Sequence, residues 1–135
     1  MLYNLNMKPQ VYLAGPANRY DPWRSEFKKI NGFKFYDPDT DSDQTSSKTF
    51  FPQDLSAIRN SKILIASPGL APAEGTWIEI GYFYALNVKK HGDICNNLII
   101  IWNKERLPWS IEFVKKTGNV VSTTEEAIKL LQQLE

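Results

Sequence analysis

The sequence predicts a single α/β domain of 135 residues, in which a five-stranded parallel sheet is wound on both faces by helices. Three observations point there. Short apolar runs alternate with helical patterns along the chain. Two of those runs, Ile63–Ala66 and Leu98–Trp102, are continuously apolar, as strands covered on both faces are. The length lies within the usual size of one domain, so one unit spanning 1–135 is expected.

The first run, Val11–Ala14, reads as a strand stopped by the turn Gly15-Pro16. A short amphipathic helix is expected over Pro22–Ile30, with Trp23, Phe27 and Ile30 four and three residues apart. Phe33–Tyr36 is the second strand, broken by Asp37-Pro38. Asp37–Thr49 is a polar insert too long for an ordinary turn, so it is read as a functional loop or a partly disordered one. Pro52 suits the first turn of a helix reaching about Asn60, with Leu55 and Ile58 inward. After the strand Ile63–Ala66 and the Ser67-Pro68-Gly69 turn, a long helix is expected from about Gly75, with Ile78, Tyr82, Ala85 and Lys89 along one face. Leu98–Trp102 is the next buried strand. A short helix near Ser110–Lys116 leads to an edge strand, Asn119–Val121. Ser122 followed three residues later by Glu125 predicts the cap of a last helix, whose Ala127, Ile128, Leu130, Leu131 and Leu134 cover the sheet. The elements make a doubly wound three-layer sandwich of the flavodoxin-like or Rossmann-like kind, its topology constrained by right-handed crossovers.

Composition narrows the partners. With 16 Lys+Arg against 15 Asp+Glu, the formal net charge is +1, which offers no field to hold a nucleic-acid polymer. A small anion needs only one arginine or helix N-terminus. The single cysteine, Cys95, forms no intrachain disulfide, and one Cys with one His, His91, cannot supply a tetrahedral zinc site. There is neither a signal-peptide pattern nor an apolar stretch of about 20 residues, so no membrane association and a cytoplasmic location are expected.

In doubly wound sheets ligands bind beyond the carboxyl ends of the strands. That selects Gly15, Pro16, Asp37, the Pro68–Thr76 loop with Glu74, Gly75 and Thr76, and Asn103. Glu79 lies about one turn into the helix that follows, where first-turn amides and the macrodipole favour an ionised carboxylate. A held, ionised carboxylate is what attack on a glycosidic carbon requires. The competing reading is a surface acid that compensates the helix dipole.

Val11–Pro16 at the first strand, Gln53–Ile58 on a helix and Gly75-Thr76-Trp77-Ile78-Glu79-Ile80-Gly81-Tyr82 together resemble the nucleoside 2-deoxyribosyltransferase family, in the right order over about residues 10–125. The resemblance implies that Glu79 attacks C1′ of the sugar and forms a glycosyl ester, with no metal or cofactor. It implies that the Tyr12 hydroxyl orients Glu79, and that Asp54 binds the base and moves a proton as general acid. It implies that Asn119 reaches into a neighbouring subunit's site, making the chain a homo-oligomer, a dimer or higher. Its partners would be a nucleoside or nucleotide and a free nucleobase. Against these stand Tyr12 as core, Asp54 as a first-turn helix acid, and Asn119 as turn chemistry after Gly118.

The chain departs from the family pattern at Ala73, six positions before Glu79, where many members carry an aspartate; Glu74 stands next to it. It also ends at Glu135, without the longer tail some transferases have. The family's relatives include hydrolases of nucleoside monophosphates, so hydrolysis rivals base exchange, with Arg19, Arg24 and the Gly15-Pro16 turn as holders of a 5′-phosphate. A nucleotide-binding or sensing module that has lost turnover is the reading from a different class.

The acidic run Asp37–Asp43 fits no calcium loop. In neither register does a glycine fall at the sixth place or a glutamate at the twelfth. Asp37, directly after a strand, is the one acid of the run placed to reach a sugar hydroxyl. Tyr20, Trp23 and the Phe50-Phe51 pair are candidates to stack on a base. Cys95 and His91 lack a third orienting group for a catalytic pair. No dinucleotide fingerprint or Walker loop is present.

Overall fold

The computed structural model describes residues 7–16, 22–69, 73–89 and 91–134. Arg19 and Tyr20, named above for phosphate and base, lie outside them. The elements run β1 (Gln10–Ala14), α1 (Trp23–Lys28), β2 (Lys34–Tyr36), α2 (Pro38–Asp41), α3 (Ser47–Arg59), β3 (Ile63–Ala66), α4 (Glu74–Asn87), β4 (Leu98–Ile101), α5 (Trp109–Thr117), β5 (Asn119–Val121) and α6 (Thr124–Gln133).

The five strands form one sheet in the order β2-β1-β3-β4-β5, and every pairing is parallel. The predicted doubly wound architecture is therefore the observed one. Alternation along the strands divides the core in two. Tyr12, Ala14, Leu64, Ala66, Leu98 and Ile100 face α3, α4 and α5, meeting Ile58, Ile80, Phe83, Ile111 and Val114. Val11, Leu13, Ile63, Ile65 and Ile99 face α1 and α6, meeting Trp23, Phe27, Ala127 and Leu131. β3 and β4 are continuously apolar because both of their faces are covered.

Four local expectations are corrected. The polar stretch after β2 is largely cap and turn chemistry. Asp37 caps α2 by accepting from Asp39 N at 3.0 Å, and Ser46 caps α3 by accepting from Lys48 N at 3.1 Å. Helix α3 therefore starts five residues before Pro52, which lies inside it rather than in its first turn. The inward face of α4 is Thr76, Ile80 and Phe83, while Ile78 is 68% exposed and Ala85 is exposed. Apolar residues surround this helix, so periodicity alone could not choose the buried face. The α6 cap is shifted by one residue: Thr123 Oγ1 accepts from Glu126 N, and the Glu126 carboxylate accepts from Ser122 N.

No helix among the described residues is long and apolar enough to cross a membrane.

Candidate active site

In the order β2-β1-β3-β4-β5, chain direction across the sheet reverses between β1 and β3. Helices leaving these two strands depart to opposite faces: α1 after β1 packs on one core and α4 after β3 on the other. A crevice opens where they part.

Tyr12, in β1, is fully buried and its side chain points to the α4 side of the sheet. Its ring stacks on Tyr36 of β2, with centroids 5.6 Å apart and planes 13° apart. Its hydroxyl donates to Glu79 Oε2. Burial pushes the Tyr12 hydroxyl far above its ordinary pKa, and the neighbouring Glu79 charge adds to this, so Tyr12 stays a donor.

Glu79 is half-buried and lies beyond the first turn of α4, which begins at Glu74. The helix N-terminus therefore helps its carboxylate less than a start at Gly75 implied, because that effect fades within the first turn. Burial pushes the Glu79 carboxyl up to about 7; the Tyr12 hydrogen bond opposes this, the Asp54 charge reinforces it and Arg24 opposes it. Near neutral pH the group is poised between its two states.

Asp54 stands two turns into α3, not in its first turn, and is 8% exposed. Its Oδ1 is buried with no hydrogen-bond partner among the described residues. Leaving such an atom unpaired costs about 1–3 kcal/mol, more for a charged group, so a bound partner at this oxygen would be favoured. Burial raises its pKa, the Ser42 hydroxyl partly offsets this, and the Asp39 charge adds to it. The structure thus brings Tyr12, Glu79 and Asp54 into one cluster from β1, α4 and α3. Tyr36 joins them unannounced, because strand register, which pairs Tyr12 with Tyr36, is not readable from the sequence.

The other candidates divide. Gly15 marks a close approach, since a Cβ there would lie 2.8 Å from Ser67 O and 3.1 Å from the Trp23 ring. Pro16, half-buried, follows it at the end of β1. Glu74 and Gly75 are exposed at the start of α4, and Thr76 is buried.

Asp37 is not free for a sugar hydroxyl: it is 4% exposed, caps α2, and meets Lys28 Nζ at 2.6 Å and Arg24 Nε at 3.4 Å. Arg24 is likewise committed, to Asp39, Asp37 and two backbone carbonyls, so it is neither a solvated surface charge nor a free phosphate clamp. Asn119 opens the edge strand β5, three strands from β1, or roughly 14 Å at the usual strand spacing. Its Nδ2 donates to Asn96 O and Leu98 O of its own chain, so within this chain the structure does not bring it to Glu79.

Trp23 belongs to the core, and Phe50 and Phe51 lie against each other at 4.7 Å. Cys95 is buried in the core while His91 is exposed. Asn103 lines a cleft of about 290 Å³ with Ser67, Gly69, Trp102 and Thr123, at the carboxyl ends of β3 and β4. Among the described residues no three His, Cys, Asp or Glu side chains group as metal ligands.

No family model matches the chain, and no curated protein matches it in sequence. Solved structures do match. A conserved protein from Enterococcus faecalis V583 superposes with a TM-score of 0.72 at 17% identity, over 96% of this chain and 100% of that one. The CMP N-glycosidase of Clostridium botulinum gives 0.60 at 20% identity, over 93% and 99%. A 2-deoxyribosyltransferase from Bacillus psychrosaccharolyticus gives 0.64 at 16% identity, over 87% and 89%. At these identities the likeness establishes a shared fold along nearly the whole chain.

Proposed function

We propose that this chain belongs with the nucleoside 2-deoxyribosyltransferases and their N-glycosidase relatives, and that it cleaves the N-glycosidic bond of a nucleoside or nucleotide. The observation that carries the reading is the Tyr12 hydroxyl bonded to the half-buried Glu79, with a buried Asp54 oxygen that has no partner among the described residues coupled to them. The names of two structural neighbours, a deoxyribosyltransferase and a CMP N-glycosidase, support the same chemistry.

In this reading an ionised Glu79 oxygen attacks C1′. The C1′–N bond breaks, its electron pair goes to the base, and a proton held at Asp54 is delivered to the departing base. The Asp54 charge raises the Glu79 pKa, so the pair favours holding one proton, and the reaction in this reading draws on the state in which Glu79 is ionised and Asp54 carries that proton. A second base then displaces the glycosyl ester, its N–H proton passing to Asp54 and the C1′–O electron pair returning to Glu79, which transfers the deoxyribosyl group. Water in its place gives hydrolysis, and a nucleoside 5′-monophosphate N-glycosidase is the alternative. Because Arg24 is committed elsewhere, phosphate binding would have to come from other groups.

The chain is also proposed to work as a homo-oligomer. Ile78 and Leu86 of α4, Phe51 of α3, Trp109 and Phe113 of α5, and Leu107 just before α5 are exposed large apolar side chains on the layer that carries Glu79. Large apolar side chains gathered on one layer support an interaction surface there, with a second copy as its partner. Asn119 acting in trans would use its Oδ1, since its Nδ2 is bonded within its own chain.

The test is chromatography of products from a panel of 2′-deoxynucleosides and their monophosphates, with and without a second base. New nucleoside appearing only with added base supports transfer. Free base and sugar appearing regardless support hydrolysis. Binding without turnover across the panel would replace both with the non-catalytic sensing module.

A further inference from the structure

We propose that Arg24 is a positioning residue of the Glu79 site: its guanidinium locks the carboxyl end of β1, the strand that carries Tyr12, to the α2 turn. The proposal rests on Glu79 being the nucleophile.

β2 ends at Tyr36, in register with Tyr12, so β1 runs on past its neighbour. In a parallel strand alternate carbonyls point to the same side. Ala14 O is taken by Ser67 N at 2.9 Å, on the β3 side. Leu13 O and Gly15 O, two residues apart, face the side where β2 has ended. Arg24 replaces the missing strand there, donating from Nε to Leu13 O at 3.3 Å and from Nη2 to Gly15 O at 2.7 Å. Nη1 donates to Asp39 Oδ2 at 2.9 Å, and Nε also lies 3.4 Å from Asp37 Oδ1.

The side chain is 7% exposed, and its guanidinium lies 4.9 Å from the centre of the Trp23 ring. A planar fork can serve these diverging partners at once; a lysine ammonium on the same stem cannot. Tyr12, whose hydroxyl holds Glu79, is the residue immediately before Leu13 in the clamped segment.

Three groups act on the Glu79 charge: Tyr12 of β1, through its hydrogen bond, and Asp54 of α3 and Arg24 of α1, through their fields. Arg24 is the cation among them and favours the ionised carboxylate. Asp39 moderates that charge from α2, and its own field also reaches Asp54. Two substitutions should therefore act in opposite directions. Arg24→Gln removes the charge and makes Glu79 harder to ionise. Asp39→Asn leaves the guanidinium less neutralised and makes Glu79 easier to ionise.

The experiment measures kcat/KM against pH for the nucleoside that the panel finds turned over. Arg24→Gln should move the acid limb to higher pH, so that activity at pH 6 falls roughly three- to tenfold more than at pH 8. Asp39→Asn should move it to lower pH, and Arg24→Lys should lower activity at every pH with the limb near its original place. Uniform losses with an unmoved limb in both Arg24→Gln and Asp39→Asn would reduce Arg24 to a fold-stabilising residue and overturn the proposal. If Arg24→Gln does not fold, the direction of the Asp39→Asn shift decides. The Glu79 titration is followed in parallel by carbon-13 NMR of glutamate-labelled protein, its signal identified by loss in Glu79→Gln. That readout needs no turnover, so an inactive wild type would sink the glycosidic reading while the Arg24 coupling is still decided.

Discussion

At the scale of single residues, Glu79 is a group held at some cost. Its carboxyl titrates near 7 in the fold against an ordinary 4.5, chiefly through burial. A raised carboxyl favours the folded state below the ordinary value, and that advantage is lost as pH rises through the folded one. Glu79→Gln should therefore abolish turnover yet stabilise the protein by about 2–3 kcal/mol above pH 7, an advantage that shrinks towards pH 4.5. Urea unfolding of both proteins at pH 4.5 and pH 8 reads the difference. Tyr12→Phe removes a hydrogen bond to the charged form, worth about 1.5–3 kcal/mol. A fall of kcat/KM of roughly ten- to a hundredfold is expected, with the acid limb moved to higher pH. Asp54→Asn should cost about 10²–10⁴ in kcat on natural nucleosides. The loss should largely vanish with a substrate whose leaving group needs no protonation, and an equal loss on both substrates would remove Asp54 from the acid role.

At the scale of elements, strand positions were legible and helix faces less so. Val11–Ala14, Ile63–Ala66 and Leu98–Ile101 declare themselves because strands buried on both faces need continuous apolar runs. α4 has apolar residues on every side, so the sequence could not say that Ile80 and Phe83, rather than Ile78 and Ala85, turn inward. The α3 start was masked by Pro52, a residue that commonly opens helices, while the real cap lay at Ser46. Of the candidate site, the Tyr12, Asp54 and Glu79 cluster was readable through the motifs that resemble the family. Tyr36 and the Arg24–Asp39 pair were not, because they depend on register and on where β2 stops. Gly15 supplies a test at this scale. Gly15→Ala would press a methyl group against Ser67 O, which is backbone and cannot swing aside. A loss of about 1–3 kcal/mol in denaturant unfolding is expected, with a larger proportional loss of activity because β1 and the β3 turn must separate.

At the scale of the whole molecule, the two helical layers differ. α1 and α6 carry no exposed large apolar side chain among the described residues, whereas Trp109 on the other layer is 89% exposed. If that layer joins two copies, Ile78→Asp should shift the protein towards monomer in light scattering at micromolar concentration, with its circular dichroism unchanged. A wild type that is monomeric throughout that range would contradict the assembly. The parallel sheet supplies the rest of the logic, since its single switch point brings three elements distant in sequence to one crevice.

The most direct test of the central claim is mass spectrometry of the protein incubated with a 2-fluoro-substituted nucleoside, whose fluorine slows breakdown of a glycosyl ester. A nucleophilic Glu79 gives a mass increase of one fluorinated sugar, mapped to the peptide that carries Glu79 and absent in Glu79→Gln. Turnover without any adduct, or an adduct on another residue, would contradict it.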